Sequence, residues 1–154
     1  MLISLTYGKG TGKTELSAFD AALWDAGIGD FNLITLSSVI PPDSRVEIRK
    51  LPRGNQGIGN KLYVVLSKCF ATSTGEEAYA GLGWVAKEDG SGVFMEECGR
   101  SEEEVKQRIG DSLKSAISYR KGNFGSIDCL IEKIQCEDKP ACAIVAAVYK
   151  SEGW

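Results

Sequence analysis

The chain has 154 residues, of which 43% are apolar and 25% are charged, a composition typical of one globular domain with its own hydrophobic core. The formal net charge of −3 argues against nucleic acid or an anionic membrane surface as a partner. No apolar run approaches the roughly 18 residues that span a bilayer, and the apolar start at residues 2–5 is too short for a signal peptide, so we expect a cytoplasmic protein.

Histidine is absent from the chain. This excludes Ser-His-Asp and Cys-His catalysis and histidine-ligated metal sites, and no metal site is predicted. The cysteines are scattered without a C-x-x-C pair, which favours buried reduced thiols over a disulfide or zinc framework. They are Cys69, Cys98, Cys129, Cys136 and Cys142.

The first half of the chain predicts strands around one helix. A strand at Leu2–Thr6 is followed by a loop of glycines and lysines at residues 7–13. A helix is predicted over Thr14–Ala26, because apolar residues recur at spacings of three and four and Gly27 ends the pattern. The apolar positions are Leu16, Phe19, Leu23 and Ala26. Further strands are predicted at Phe31–Ser38, Arg45–Ile48 and Lys61–Ala71.

The second half predicts a hairpin, a helix and two closing strands. Residues 88–92 read as a turn between strands at Glu77–Lys87 and Val93–Cys98. Ser101 should cap a helix that runs to about Arg120. The closing strands are predicted at Ile127–Gln135 and Ala141–Lys150. These elements indicate a single α+β domain over residues 1–154, an αββα sandwich of two stacked, mainly antiparallel sheets with a helix on each outer face.

The segment Gly8–Thr14 resembles a phosphate-binding loop. Its glycines would allow backbone N–H groups to approach a phosphate, and Lys13 would add charge. The full pattern requires a glycine where Tyr7 stands, and the chain lacks the alternation of strand and helix that builds a parallel nucleotide-binding sheet. A turn that leads into the helix is the simpler interpretation.

Two consecutive hydroxyls, Ser37 and Ser38, stand where an apolar extended segment approaches Pro41 and Pro42. Proline has no N–H and biases the residue before it towards extended geometry, so the segment cannot continue as a helix. The pair should lie at a strand end. Such a pair alone more often indicates a solvated turn than a reactive site.

An ordered set of short motifs surrounds this pair. The motifs are Phe19-Asp20, Asn32, Ser37-Ser38 with Pro41-Pro42, Gly75-Glu76, Met95-Glu96-Glu97 and the closing run Ala141–Tyr149. As an ordered set they resemble the pyruvoyl-dependent arginine decarboxylases over nearly the whole chain. The start of the chain and residues 53–60 depart from the family pattern.

The serine pair supports a self-cleavage mechanism without an external catalyst. Attack of the Ser38 hydroxyl on the Ser37 carbonyl converts the amide to an ester, and elimination followed by hydrolysis leaves a pyruvoyl group derived from Ser38. The chain would be divided into residues 1–37, the beta chain, and residues 38–154, the alpha chain. The pyruvoyl ketone could then form a Schiff base with a substrate amine and accept electrons as CO₂ departs.

The resemblance assigns the proton donor to Glu96, whose apolar strand suits a general acid. Asn32 precedes Ser38 by six positions, which on one strand places both on the same face, so its amide could polarise the scissile carbonyl or hold the substrate. Asp20 could accept two parallel N–H bonds from a guanidinium. By periodicity alone, Asn32 reads as an edge or turn residue and Asp20 as a helix-surface aspartate.

The resemblance therefore implies decarboxylation of arginine to agmatine by a homotrimer, which in some relatives pairs into a hexamer, with sites between protomers. Three alternatives stay open. The same chemistry could act on another amino acid such as histidine or aspartate. The chain could instead be a nucleotide-binding module or an unprocessed structural relative.

Overall fold

The computed structural model describes residues 1–54 and 57–154, which form two helices and nine strands. The family pattern departs at residues 53–60, and Asn55 and Gln56 of that segment lie outside the described residues. The helices are α1 (Glu15–Asp25) and α2 (Glu102–Ser118). The strands are β1 (Leu2–Thr11), β2 (Asn32–Thr35), β3 (Val39–Ile40), β4 (Arg45–Ile48), β5 (Lys61–Ala71), β6 (Glu77–Ala86), β7 (Gly92–Gly99), β8 (Asp128–Gln135) and β9 (Ala141–Glu152).

The strands form two sheets, and the predicted αββα sandwich is confirmed. The first sheet has the order β2-β5-β9-β1-β4, and the second has the order β3-β7-β6-β8. Pairing in the second sheet is antiparallel throughout, whereas β2 and β4 pair with the first sheet in parallel. Apolar side chains from both sheets meet between the layers and exclude water. They include Ile3, Leu5, Val65, Leu82, Phe94 and Val145.

Each helix covers the outer face of one sheet. On α2, the predicted apolar side of Val105, Ile109 and Leu113 is buried against the second sheet. On α1, the buried face consists mainly of alanines, whereas Leu16 is 76% exposed, so its predicted place in the core is wrong. Neither helix in the described ranges is long and apolar enough to cross a membrane.

The predicted loop at residues 7–13 is largely strand, because β1 continues to Thr11. Gly8, Gly10 and Gly12 face α1 so closely that a Cβ on Gly10 would lie 2.5 Å from Ala21 Cβ and 2.6 Å from the Ala22 nitrogen. These glycines therefore have a packing role: they let the alanine face of α1 approach the sheet. This explains the glycine pattern without a phosphate.

The predicted strand Phe31–Ser38 is divided in the structure. β2 ends at Thr35, and β3 begins at Val39 in the other sheet. Asn32 and Ser38 are therefore not on one strand, and the prediction that they share one strand face is wrong. The two segments lie in different sheets because β2 pairs with β5 of the first sheet and β3 pairs with β7 of the second.

The prediction that all cysteines are reduced is wrong for one pair. Cys69 on β5 and Cys98 on β7 form a disulfide between the two sheets, with their Cα atoms 5.3 Å apart. Packing of the sheets brings together residues 29 positions apart, a proximity that the cysteine spacing alone does not reveal. Cys129, Cys136 and Cys142 are free thiols, and burial raises the pKa of Cys142 to about 12, which makes that thiol unreactive.

Candidate active site

The serine pair lies where the chain crosses from the first sheet to the second. Before the crossing, the Leu36 N–H donates to the Val64 carbonyl of β5 at 2.8 Å. After it, Val39 pairs with Val93 of β7. Ser37 is exposed between these two anchors, and Ser38 is partly buried. The crossing therefore holds the Ser37–Ser38 peptide from both layers of the sandwich.

The backbone of Ser38 has a left-handed conformation, with φ of 69°. An L-residue with a side chain pays roughly 1–2 kcal/mol for this geometry, and such residues persist where surrounding contacts enforce them. One of these contacts is the Phe94 N–H, which donates to the Ser38 carbonyl at 2.8 Å. The conformation directs the Ser38 side chain to β7.

The Ser38 hydroxyl meets the carboxylate of Glu96. Its Oγ lies 2.8 Å from Oε1 and 3.0 Å from Oε2. Glu96 follows Phe94 by two positions, and Phe94 is buried between the sheets, so alternation along β7 directs Glu96 to the same face. A carboxylate in hydrogen-bond contact with a hydroxyl can accept its proton as that hydroxyl attacks a carbonyl.

Glu97 faces the opposite side of β7, as alternation predicts. Its Oε1 accepts a hydrogen bond from the Ser112 hydroxyl of α2 at 3.0 Å, so it is partly buried rather than fully solvated. Its backbone carbonyl accepts from the Ser67 hydroxyl at 2.7 Å. The two adjacent glutamates therefore have separate surroundings, and only Glu96 contacts Ser38.

Tyr149 also contacts the segment that carries the serine pair, and the sequence did not single out this residue. It lies near the end of β9, and its hydroxyl donates to the Val39 carbonyl at 2.9 Å. Burial, reinforced by the charge of Glu96, raises the pKa of Tyr149 to about 12. The phenol is therefore protonated, and a hydrogen-bond donor, at neutral pH. In the sequence Tyr149 stands out only as a tyrosine at the end of an apolar run, which does not indicate a hydrogen bond to the Val39 carbonyl.

Asn32 and Asp20 lie apart from the Ser38–Glu96 pair. Asn32 is exposed, and its Nδ2 donates to the Gly59 carbonyl at 2.6 Å. Asp20 is exposed on α1, in a shallow groove that Leu16 and Phe19 also line. The structure therefore brings together two of the predicted site residues, Ser38 and Glu96, next to the predicted cleavage bond.

The chain matches one known protein family over nearly its whole length. The family model for pyruvoyl-dependent arginine decarboxylase matches residues 2–153. The chain belongs to this family. A protein of Halobacterium salinarum named pyruvoyl-dependent arginine decarboxylase is 30% identical over 149 residues, which cover 96% of this chain and 92% of that protein.

Two further family members with the same name show similar agreement. The protein of Methanocaldococcus jannaschii is 32% identical, with 94% of this chain and 87% of that protein covered. The protein of Pyrococcus abyssi is 33% identical, with 89% and 87% covered. Membership of a pyruvoyl-dependent family implies a covalent pyruvoyl group as the cofactor.

The site fits a precursor of this group. A pyruvoyl group formed within the chain requires a serine whose hydroxyl can reach the preceding carbonyl and a nearby proton acceptor. The Ser38 hydroxyl donates a hydrogen bond to Glu96, and the Ser38 carbonyl accepts one from the Phe94 N–H. Among residues 1–54 and 57–154, no cluster of three or more side chains with metal-binding groups accompanies it.

Proposed function

We propose that the chain cleaves itself between Ser37 and Ser38, carries a pyruvoyl group at residue 38, and decarboxylates arginine to agmatine and CO₂. The observation that carries this proposal is the contact of the Ser38 hydroxyl with Glu96 at a left-handed residue. The arginine substrate is supported by the names of the family members.

In the cleavage step, Glu96 accepts the proton of the Ser38 hydroxyl while Oγ attacks the Ser37 carbonyl carbon. The C–N bond then breaks, the nitrogen takes a proton, and the Ser37 acyl group is left as an ester on Oγ. Loss of the Cα proton with cleavage of the Cβ–Oγ bond releases residues 1–37 as a carboxylate. The dehydroalanine that remains at residue 38 tautomerises, adds water and loses ammonia, which leaves the ketone.

When present, the pyruvoyl group supplies a ketone that binds the substrate amine and withdraws electrons as CO₂ departs. The chain would support this chemistry with two groups. The Phe94 N–H, which donates to the residue 38 carbonyl, would stabilise negative charge that develops on that oxygen. Glu96 would return a proton to the substrate carbon from which CO₂ has left.

Asp20 is proposed as the partner of the substrate guanidinium, contributed by a neighbouring subunit of a homotrimer. Its exposure on α1 beside the 76% exposed Leu16 supports this arrangement, since an interface would cover that leucine. Val39, next to the reactive serine, is also 57% exposed. Asn32 is proposed as a group that holds the substrate, because its exposed position leaves it accessible to an assembled site.

The test of the substrate is a comparison of amino acids at equal concentration. The cleaved protein is offered arginine, histidine, aspartate, ornithine and lysine, and CO₂ is collected from each. Arginine should dominate, because lysine and ornithine lack the planar fork that a carboxylate binds in two places. A preference for another amino acid would overturn the arginine assignment, and release equal to that of the uncleavable Ser38→Ala variant would overturn the activity.

A further inference from the structure

Tyr149 connects the first sheet to the residue that follows the reactive serine. It belongs to β9 of the first sheet, yet its hydroxyl donates at 2.9 Å to the carbonyl of Val39, which pairs with the second sheet. Its ring packs edge-on against Phe94, with the ring centroids 6.3 Å apart. Packing against the buried Phe94 ring therefore orients the Tyr149 hydroxyl towards the Val39 carbonyl.

Two consecutive carbonyls after the scissile bond are held by two different layers. The Ser38 carbonyl accepts from the Phe94 N–H of β7, and the Val39 carbonyl accepts from Tyr149 of β9. These bonds fix the peptide plane between residues 38 and 39 and the plane that follows it. They therefore hinder rotation of Ser38 out of its left-handed conformation, which is costly at a φ of 69° and would otherwise relax.

We propose that Tyr149 is a positioning residue for self-cleavage, which holds Val39 so that Ser38 keeps its left-handed conformation with its hydroxyl on Glu96. The inference rests on the proposed function, because it concerns the same peptide bond. The hydrogen bond of Tyr149 goes to the Val39 carbonyl, so Tyr149 acts through that carbonyl and takes no direct part in the attack of the Ser38 hydroxyl on the Ser37 carbonyl. Its elevated pKa is consistent with this role, since the phenol does not lose its donor proton near neutral pH.

The test uses Tyr149→Phe, which keeps the ring that packs on Phe94 and removes only the hydroxyl. Wild type and variant are made as full chains in cell-free synthesis and sampled over time by denaturing mass spectrometry. Loss of one hydrogen bond that favours the reactive conformation should slow cleavage about tenfold while the products stay the same. The matched control is Tyr63→Phe, which removes a phenol that donates to Glu152 at 2.8 Å on the neighbouring strand β5; it should cleave at the wild-type rate.

A second measurement separates positioning from folding. Thermal unfolding midpoints are measured for Ser38→Ala and for Ser38→Ala with Tyr149→Phe, neither of which can cleave, and all cleavage assays are run well below both midpoints. A slower rate that persists under these conditions supports the inference.

Three results would overturn the inference. Equal rates for wild type and Tyr149→Phe would do so while leaving the proposed function intact. An equal loss of rate in Tyr63→Phe would show a general effect of phenol removal. A wild-type chain that never cleaves would overturn the proposed function together with the inference.

Discussion

The hydroxyl of Ser38 lies between the two carboxylate oxygens of Glu96, at 2.8 and 3.0 Å, although 58 positions separate the residues. The crossing between the sheets places Ser38 beside β7, and the alternation of side chains along β7 directs Glu96 towards it. In the proposed function, the same carboxyl first accepts the proton of Ser38 and later serves the group made from it. One contact would therefore support both the formation of the cofactor and its use.

Ser38→Ala should abolish cleavage, because no hydroxyl remains to attack the preceding carbonyl. Ser37→Ala should cleave more slowly but to completion, because residue 37 contributes its carbonyl and its side chain is exposed. Denaturing electrophoresis of both variants after long incubation checks this pair. Fragments of the expected sizes from Ser38→Ala would show that another group is the nucleophile.

Glu96→Gln should lower decarboxylation by a factor of about 10²–10⁴, the usual contribution of a general acid or base. Cleavage should also be slowed, because the glutamine amide oxygen can accept a hydrogen bond from Ser38 but cannot take its proton. The turnover number on arginine is measured per mole of cleaved chain, so that incomplete processing does not enter the result.

The matched control for this variant is Glu97→Gln. Glu97 lies on the other side of β7, where it accepts a hydrogen bond from Ser112, so its substitution should leave turnover within about twofold of wild type, as is usual for residues outside the catalytic machinery. Full turnover in Glu96→Gln, or an equal loss in both variants, would assign the proton transfer to another residue.

Asp20→Asn should raise the KM for arginine by a factor that corresponds to about 1.5–3 kcal/mol, because a hydrogen bond to a charged group is lost while the shape is kept. Cleavage should proceed at the wild-type rate, since the substrate takes no part in it. Steady-state kinetics on the cleaved variant measure the change, and an unchanged KM would remove Asp20 from the substrate site.

Gly10→Ala should destabilise the fold by about 1–3 kcal/mol, the usual cost of overpacking, because the new Cβ would meet the backbone of α1 at Ala22. Gly110→Ala is the opposite case: Gly110 lies within α2, and apart from the adjoining backbone of that helix nothing in the described part of the chain lies within 4 Å of the added Cβ, so the substitution should stabilise the fold by about 0.5–1 kcal/mol. Urea unfolding of both in the uncleavable Ser38→Ala chain gives the two values. Equal effects of the two substitutions would contradict the packing role of Gly10.

The sequence predicted the parts of the fold that local periodicity encodes. The helix on the second sheet follows its apolar spacing at Val105, Ile109 and Leu113. Periodicity predicts the wrong structure where tertiary packing overrides it. The glycines of β1 look like a loop in the sequence, but they are strand residues on which α1 packs closely. Leu16 fits the apolar spacing of α1, but alanines form most of the buried face and Leu16 is exposed.

Of the candidate site, the sequence predicted the serine pair Ser37-Ser38 and the carboxyl of Glu96. The ordered motifs point to Ser38 and Glu96 separately, and the hydrogen bond between them is seen only in the structure. The contact of Tyr149 could not be predicted either, because its partner is a backbone carbonyl on another sheet, and no side-chain motif encodes such a contact. The disulfide between Cys69 and Cys98 escaped for a similar reason, since it depends on how two sheets face each other.

The most direct test of the central claim is a denaturing mass spectrum of the purified protein. Cleavage at Ser38 predicts two polypeptides, residues 1–37 and 38–154, and the larger one should resist Edman degradation because its N-terminus carries a ketone in place of an amine. One ammonia should be released for each chain that cleaves. A single species at the full 16.6 kDa after prolonged incubation, or a larger fragment with a free amino terminus, would contradict the account.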